Sequence, residues 1–296
     1  MAVTLLVAAG ACACGSAAAG SPRVDAGAGA VATTTAGRPG GTSAGSAARS
    51  PDATLAVKAF RTDIGETTTA FVTEVGRLQA DLAAGDVTAA KADELAAQAD
   101  FDGFRLLETD DTINASTLDG TVTDLTTGQS FGGLHAVERD LWTSGDALAD
   151  ASGLEAQAPV AQFLLSKLML PPEAIGTTGV DELGWVDDVA IPGREELYSH
   201  LDAVDIAATV AAADRAFAAI EPLARGVSPN LEATVAQRFA TLEFEVAALG
   251  NVTQLPDSSI STATRLALSQ QVDATASVLA QLSATLARFG TASTSS

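Results

Sequence analysis

Residues 228–250, Ser-Pro-Asn-Leu-Glu-Ala-Thr-Val-Ala-Gln-Arg-Phe-Ala-Thr-Leu-Glu-Phe-Glu-Val-Ala-Ala-Leu-Gly, spell out a helix from its opening cap to its stop. Ser228 is an N-cap residue and Pro229 suits the first helical position, where a missing N–H costs nothing. Leu231, Val235, Phe239, Leu242, Val246 and Leu249 then recur with the 3.6 period that puts them on one stripe. Gly250 supplies the residue that most easily leaves the helix.

The same grammar repeats outward. Ser50-Pro51 opens a helix whose apolar positions are Phe60, Ile64, Phe71, Val75, Leu78 and Leu82, with Gly85 as its end. A second helix follows the Asp86 cap and carries Val87, Leu95, Phe101, Phe104 and Leu107 to about Glu108. Residues 109–129, rich in Thr, Asp and Gly, break the pattern and read as a long connection, a kind of segment that often belongs to a site.

Further helices are expected near 130–142 and 156–169. After the Pro171-Pro172 break comes a less regular segment, 173–192. A helix from Glu195 to Arg225 is stopped by Gly226, and a last one over 258–289 ends at Gly290. Helices of this length, about 30–45 Å at about 1.5 Å per residue, are bundle helices. The expectation is therefore an all-α fold of two fused helical bundles of long antiparallel helices over 51–290, with a disordered tail at 291–296.

Composition agrees. Aromatic residues are 4% of the chain against 47% hydrophobic overall, so the apolar material is mostly small aliphatic side chains suited to close helix packing. With 37 acidic against 16 basic residues, the net charge of −21 repels nucleic-acid phosphates and anionic lipid headgroups. Cations or a basic partner are the natural ligands, although much of this charge also serves to keep an alanine-rich protein soluble.

The N-terminus reads differently. Residues 2–14 form a short apolar run that ends in the chain's two cysteines, Cys12 and Cys14. It is too short to span a bilayer and matches the apolar region of a secretory signal. Small residues before a cysteine, then Gly15-Ser16, resemble a bacterial lipobox, with Cys14 the first choice for lipidation and Cys12 the second. No Lys or Arg precedes Arg23, so the positive n-region is missing. Residues 15–50 are Ala, Gly, Ser and Thr without a period, the composition of a flexible tether. Together these features predict an extracytoplasmic, lipid-anchored domain on a bacterial cell membrane.

Chemistry concentrates at residues 130–142, Ser-Phe-Gly-Gly-Leu-His-Ala-Val-Glu-Arg-Asp-Leu-Trp. On a helix His135 and Glu138 lie one turn apart on the same face, so an imidazole nitrogen and a carboxylate can serve one metal ion. The spacing alone describes a surface ion pair equally well. No zincin His-Glu-x-x-His occurs and no nucleophile has a partner base, so a complete catalytic constellation is absent from the sequence.

The stretch Gly133-Leu134-His135-Ala136-Val137-Glu138-Arg139-Asp140-Leu141-Trp142 resembles the Gly-Phe-His-x-x-Glu-x-x-Leu-Trp signature of the imelysin-like peptidase family, which includes the EfeO/EfeM-type iron-uptake lipoproteins. Ala84-Gly85-Asp86 with Ala90-Lys91 is similar to that family's first helix junction. Gly193-Arg194-Glu195-Glu196-Leu197-Tyr198-Ser199-His200-Leu201-Asp202 is similar to its Gly-Glu-Glu-x-x-Tyr-Ser-His-x-Asp segment. The resemblance covers about residues 52–289 and fits the short form, without a cupredoxin domain.

It implies a helical fold, a divalent or trivalent metal ion (iron, with Zn, Mn or Cu as alternatives), and partners in a membrane iron permease and a haem peroxidase. Carried over by position, His135 and Glu138 are the core ligands, and Glu195 or Glu196 is a further contributor. Asp102 stands for the first carboxylate of the family's Tyr-Glu-x-x-Glu. Arg105 stands where the second would be and is expected to pair with Glu138 or Glu195 instead. Asn114 sits where Ile-Asp is common, with Asp111 and Asp119 near enough to leave the register open. A metal-free interaction module and a metallopeptidase are the alternative readings.

Overall fold

The computed structural model describes residues 51–107, 115–120 and 131–293, and these form an all-α helical bundle with no strand among them. The lipobox cysteines Cys12 and Cys14, the 15–50 tether, Asp111, Asn114 and residues 294–296 lie outside the described residues. Among the described helices none is long and apolar enough to cross a membrane.

Helix α1, Pro51–Ala84, starts on its proline and buries the expected stripe, Phe60 through Leu82. Gly85, at φ +75°, breaks it. The Asp86 carboxylate then accepts the Ala89 amide at 3.0 Å and caps α2, Val87–Asp102. Helix α2 stops several residues before the expected end near Glu108, and the chain tightens into a 3₁₀ turn over Arg105–Leu107. Packing explains the stop: Phe104 turns inward to meet Phe71 and Phe101, with ring centroids 5.3 and 5.2 Å away. Edge-on aromatic contacts of this kind stabilise beyond their buried area.

A short helix α3, Ala115–Asp119, lies within the segment expected to be pure connection. Helix α4, Leu134–Thr143, begins four residues later than its expected start at Ser130. Gly133 accounts for this. It adopts φ +78° and pairs with Asp119 in an isolated antiparallel bridge. A Cβ on Gly133 would lie 2.1 Å from the Leu118 carbonyl oxygen. Gly133→Ala therefore combines left-handed strain of about 1–2 kcal/mol with a backbone clash. We expect it to lower the free energy of unfolding by at least about 2 kcal/mol, read from the urea midpoint, whereas an unchanged midpoint would contradict the geometry.

Helix α5 spans Leu148–Leu165 rather than 156–169. The segment expected to be irregular is helix α6, Pro172–Trp185, continued by one π-helical turn, Val186–Ala190. Its glycines hid the apolar period because they are points of close approach. A Cβ on Gly176 would meet Ser283 Oγ at 2.3 Å, and one on Gly179 would meet Leu279 Cδ2 at 3.0 Å.

Helix α7, Ala203–Val227, starts at Ala203 and not at Glu195. Residues 193–202 are instead a loop held open by left-handed Gly193 and His200, closed on itself where Asp202 Oδ1 accepts the Glu195 amide at 2.9 Å. Helix α8, Pro229–Ala247, buries Val235, Phe239, Leu242 and Val246 as its sequence requires. Helix α9, Thr262–Ser293, runs through Gly290 and so includes the first residues of the expected disordered tail.

Helix α1 packs on α2 and α5, with α4 against α2 and α5, while α6, α7, α8 and α9 form a second group. Helix α7 belongs to both, since it also lies on α1 and α2, and one continuous apolar core runs through the two groups. The face that α2 turns inward is not wholly apolar: Glu94, Gln98 and Asp102 recur every fourth residue and are buried, as are Asp205 and Thr209 of α7.

Candidate metal centre

The glycine-dependent bridge between Asp119 and Gly133 sets the end of α3 beside the first turn of α4. This places the Asp119 carboxylate against the His135 ring, which bonds Asp119 Oδ1 through Nδ1. The other ring nitrogen faces the 193–202 loop. Nε2 is 3.2 Å from the Glu195 carbonyl oxygen and 3.7 Å from Glu195 Oε1. One ligand atom each from Asp119, His135 and Glu195 lie within 4.8 Å of one another.

Glu138, one turn after His135, does other work. Its Oε1 accepts the Tyr198 and Ser199 amides at 2.8 and 2.6 Å, so it anchors the loop that carries Glu195, while its Oε2 has no partner among the described residues. Ser199 Oγ in turn donates to Glu196 Oε2 at 2.7 Å. Asp102 also stands aside: its Oδ1 accepts Arg105 Nη1 at 3.0 Å and Gln98 Nε2 at 3.3 Å. Of the expected ligands, His135, Glu195 and Asp119 thus bring one ligand atom each within 4.8 Å of one another, whereas Glu138, Glu196 and Asp102 are not part of that group.

Arg105 is not paired with Glu138. Its guanidinium reaches Glu182 Oε2 at 3.5 Å and Glu195 Oε1 at 3.9 Å, and its Cζ sits 3.2 Å above the centre of the Trp185 ring. Glu182 and Trp185 were invisible as partners because their segment did not read as a helix. Glu94, with no hydrogen-bond partner on either carboxylate oxygen among the described residues, is legible in principle from its four-residue spacing to Gln98 and Asp102.

The side chains of Glu94, Asp102, Asp119, Glu138, Glu182, Glu195, Glu196, Asp202 and Asp205 are nearly all removed from solvent, and among the described residues the cationic groups paired with them are the Arg105 guanidinium and the His135 imidazole. Burial raises a carboxyl pKa because the charged form loses its hydration. It pushes Glu195 up to about 8, reinforced by the Asp119 charge and opposed by His135. Burial likewise takes Glu182 to about 8 against the pull of Arg105, and Asp102 to about 6. Glu94, Glu196 and Asp205 are raised well above the usual range, by burial first and then by the neighbouring carboxylates. Burial pulls the His135 imidazole down, but the charge and hydrogen bond of Asp119, followed by Glu195 and Glu196, hold it well above its ordinary value.

In chemical terms this is a buried acidic seam that balances its charge only by keeping protons or taking up a cation. A buried Asp–His–Glu group of this kind can hold a metal ion. A scan of protein-family models and a search of curated proteins find no match to the chain.

Proposed function

We propose that the protein is an extracytoplasmic metal-binding lipoprotein that captures a cation, iron in the first place, and hands it to a membrane permease. The observation that carries this reading is the convergence of Asp119, His135 and Glu195 within 4.8 Å inside a seam short of positive charge. One imidazole and two carboxylates suit Fe, and also Mn, Zn or Cu.

The likeness of residues 133–142 and 193–202 to the imelysin-like, EfeO/EfeM-type signatures supports the same reading. These two stretches are joined directly by the bonds from Glu138 to the Tyr198 and Ser199 amides. The metal is cargo. Loading it displaces protons from His135 and Glu195, and releasing it returns them, so capture is favoured as pH rises.

The test is metal titration of the purified protein with Fe²⁺ under exclusion of oxygen, and with Zn²⁺ and Mn²⁺, followed by calorimetry and elemental analysis. We expect one ion per chain. His135→Ala and Asp119→Asn should each weaken binding by at least about 100-fold, more than the loss typical of an outer-shell partner. Equal metal content in wild type and both variants would sink the assignment.

A second reading, a metal-free interaction module on the same fold, is favoured by Arg105. Its guanidinium, 3.0 Å from Asp102, 3.5 Å from Glu182 and 3.9 Å from Glu195, already supplies a positive charge at the seam. That reading predicts no metal above background in the same titration.

A further inference from the structure

Between α2 and α7, which also carry part of the acidic seam on their buried faces, a cleft of about 690 Å³ opens, lined in addition by Trp142 of α4. That volume falls in the range of small-molecule sites. Its walls are apolar, with Leu95 and Ala99 from α2 facing Val204 and Ala207 from α7. Among the described residues Lys91 is the only charged one that lines it, and the polar lining residues Thr253 and Gln254 are neutral.

Lys91 is unusual in this chain, which carries a net charge of −21. Its ammonium lies 4.6 Å from the centre of the Trp142 ring and joins none of the ion pairs among the described residues. A cation resting on an indole face keeps most of its capacity to meet an anion, since the ring offers only a quadrupole in return.

We propose that this cleft binds an amphiphilic organic anion, with its carboxylate on the Lys91 ammonium and its hydrocarbon body along Leu95, Ala99, Val204 and Ala207 against the Trp142 indole. Charge complementarity selects the headgroup, because the wider field of the protein disfavours anions and only the local ammonium rewards one. The apolar walls select the body, since they gain by removing hydrocarbon from water.

Trp142 and Trp185 are the two tryptophans of the chain, and Trp185 lies under Arg105, so Trp142 reports on the cleft. The experiment titrates the full chain with decanoate, well below its micelle concentration, and follows tryptophan fluorescence; decanol and decyltrimethylammonium serve as matched chains with other headgroups. We expect saturable binding of decanoate, at least 10-fold tighter than either comparator. Lys91→Met should lose that preference, Lys91→Arg should keep it, and Ala207→Phe should block the cleft while circular dichroism stays native. Trp142→Phe should abolish the signal. Equal binding of decanol and decanoate, preference for the cationic chain, or decanoate binding unchanged in Lys91→Met would each overturn the proposal.

Discussion

Raising the pH from about 5 to about 9 is expected to lower the melting temperature of the metal-free protein, and saturating metal at alkaline pH is expected to restore it. The sign follows from proton linkage. Glu182 and Glu195, whose ordinary value is 4.5, titrate at about 8 in the folded chain. Folding therefore binds protons, and the stability this confers is complete below the ordinary carboxyl value and is lost as pH climbs through 8. Raised Glu94, Glu196, Asp205 and His135 act in the same direction. Asp140, lowered chiefly by its hydrogen bond to Arg139, runs the other way, but that pair is largely solvated and contributes little.

A net loss of about 2 kcal/mol over this window corresponds to roughly 4–8 °C for a chain of this size. A metal that binds only the folded state at about 100 times its Kd returns about 2.7 kcal/mol, or roughly 5–11 °C. Melting curves by circular dichroism at several pH values, with and without metal, check both statements. A flat or rising profile for the metal-free protein would mean that the seam does not store protons. A metal shift that persists in His135→Ala would place the ion elsewhere.

Arg105→Met is expected to be among the most damaging single substitutions in the seam. It leaves Asp102, Glu182 and Glu195 without the guanidinium that now lies 3.0, 3.5 and 3.9 Å from them. Removing one partner from a buried charge cluster costs about 3–5 kcal/mol, which corresponds to roughly 6–20 °C in melting temperature. Arg105→Lys recovers only part of this, because an ammonium cannot reproduce a planar fork that both stacks on Trp185 and spans several carboxylates. In whatever fraction of Arg105→Met folds, metal affinity is expected to rise, since the cation competing for Glu195 is gone. A loss below about 1 kcal/mol would show that protonation alone neutralises the seam.

Much of the helical architecture was readable because the apolar stripes and the opening prolines, Pro51 and Pro229, coincide with the observed helices α1 and α8. The readings at α6 and α7 fell short for physical reasons. Gly176 and Gly179 are close-packing residues that erase a helical period, and the left-handed His200 cannot be foreseen from an apolar pattern that continues through it.

The site divides in the same way. His135 and Glu195 stand out by residue type and position, and Asp119 stands in the sequence as one of three register alternatives with Asp111 and Asn114; what selects it is the Gly133 bridge, a contact between segments that no local spacing encodes. Glu138 has the geometry of a ligand in sequence, but its carboxylate oxygen is claimed by the Tyr198 and Ser199 amides of a loop sixty residues away. The lesson is that i, i+3 spacing fixes which side chains share a face and leaves open what they face.

The most direct measurement of metal capture at this site is anomalous diffraction from crystals of the protein loaded with Fe²⁺ or Zn²⁺ at alkaline pH. The expected result is one strong peak at about 2.0–2.4 Å from an oxygen of Asp119, a ring nitrogen of His135 and an oxygen of Glu195. A peak centred elsewhere in the acidic seam, or none at saturating metal, would contradict it.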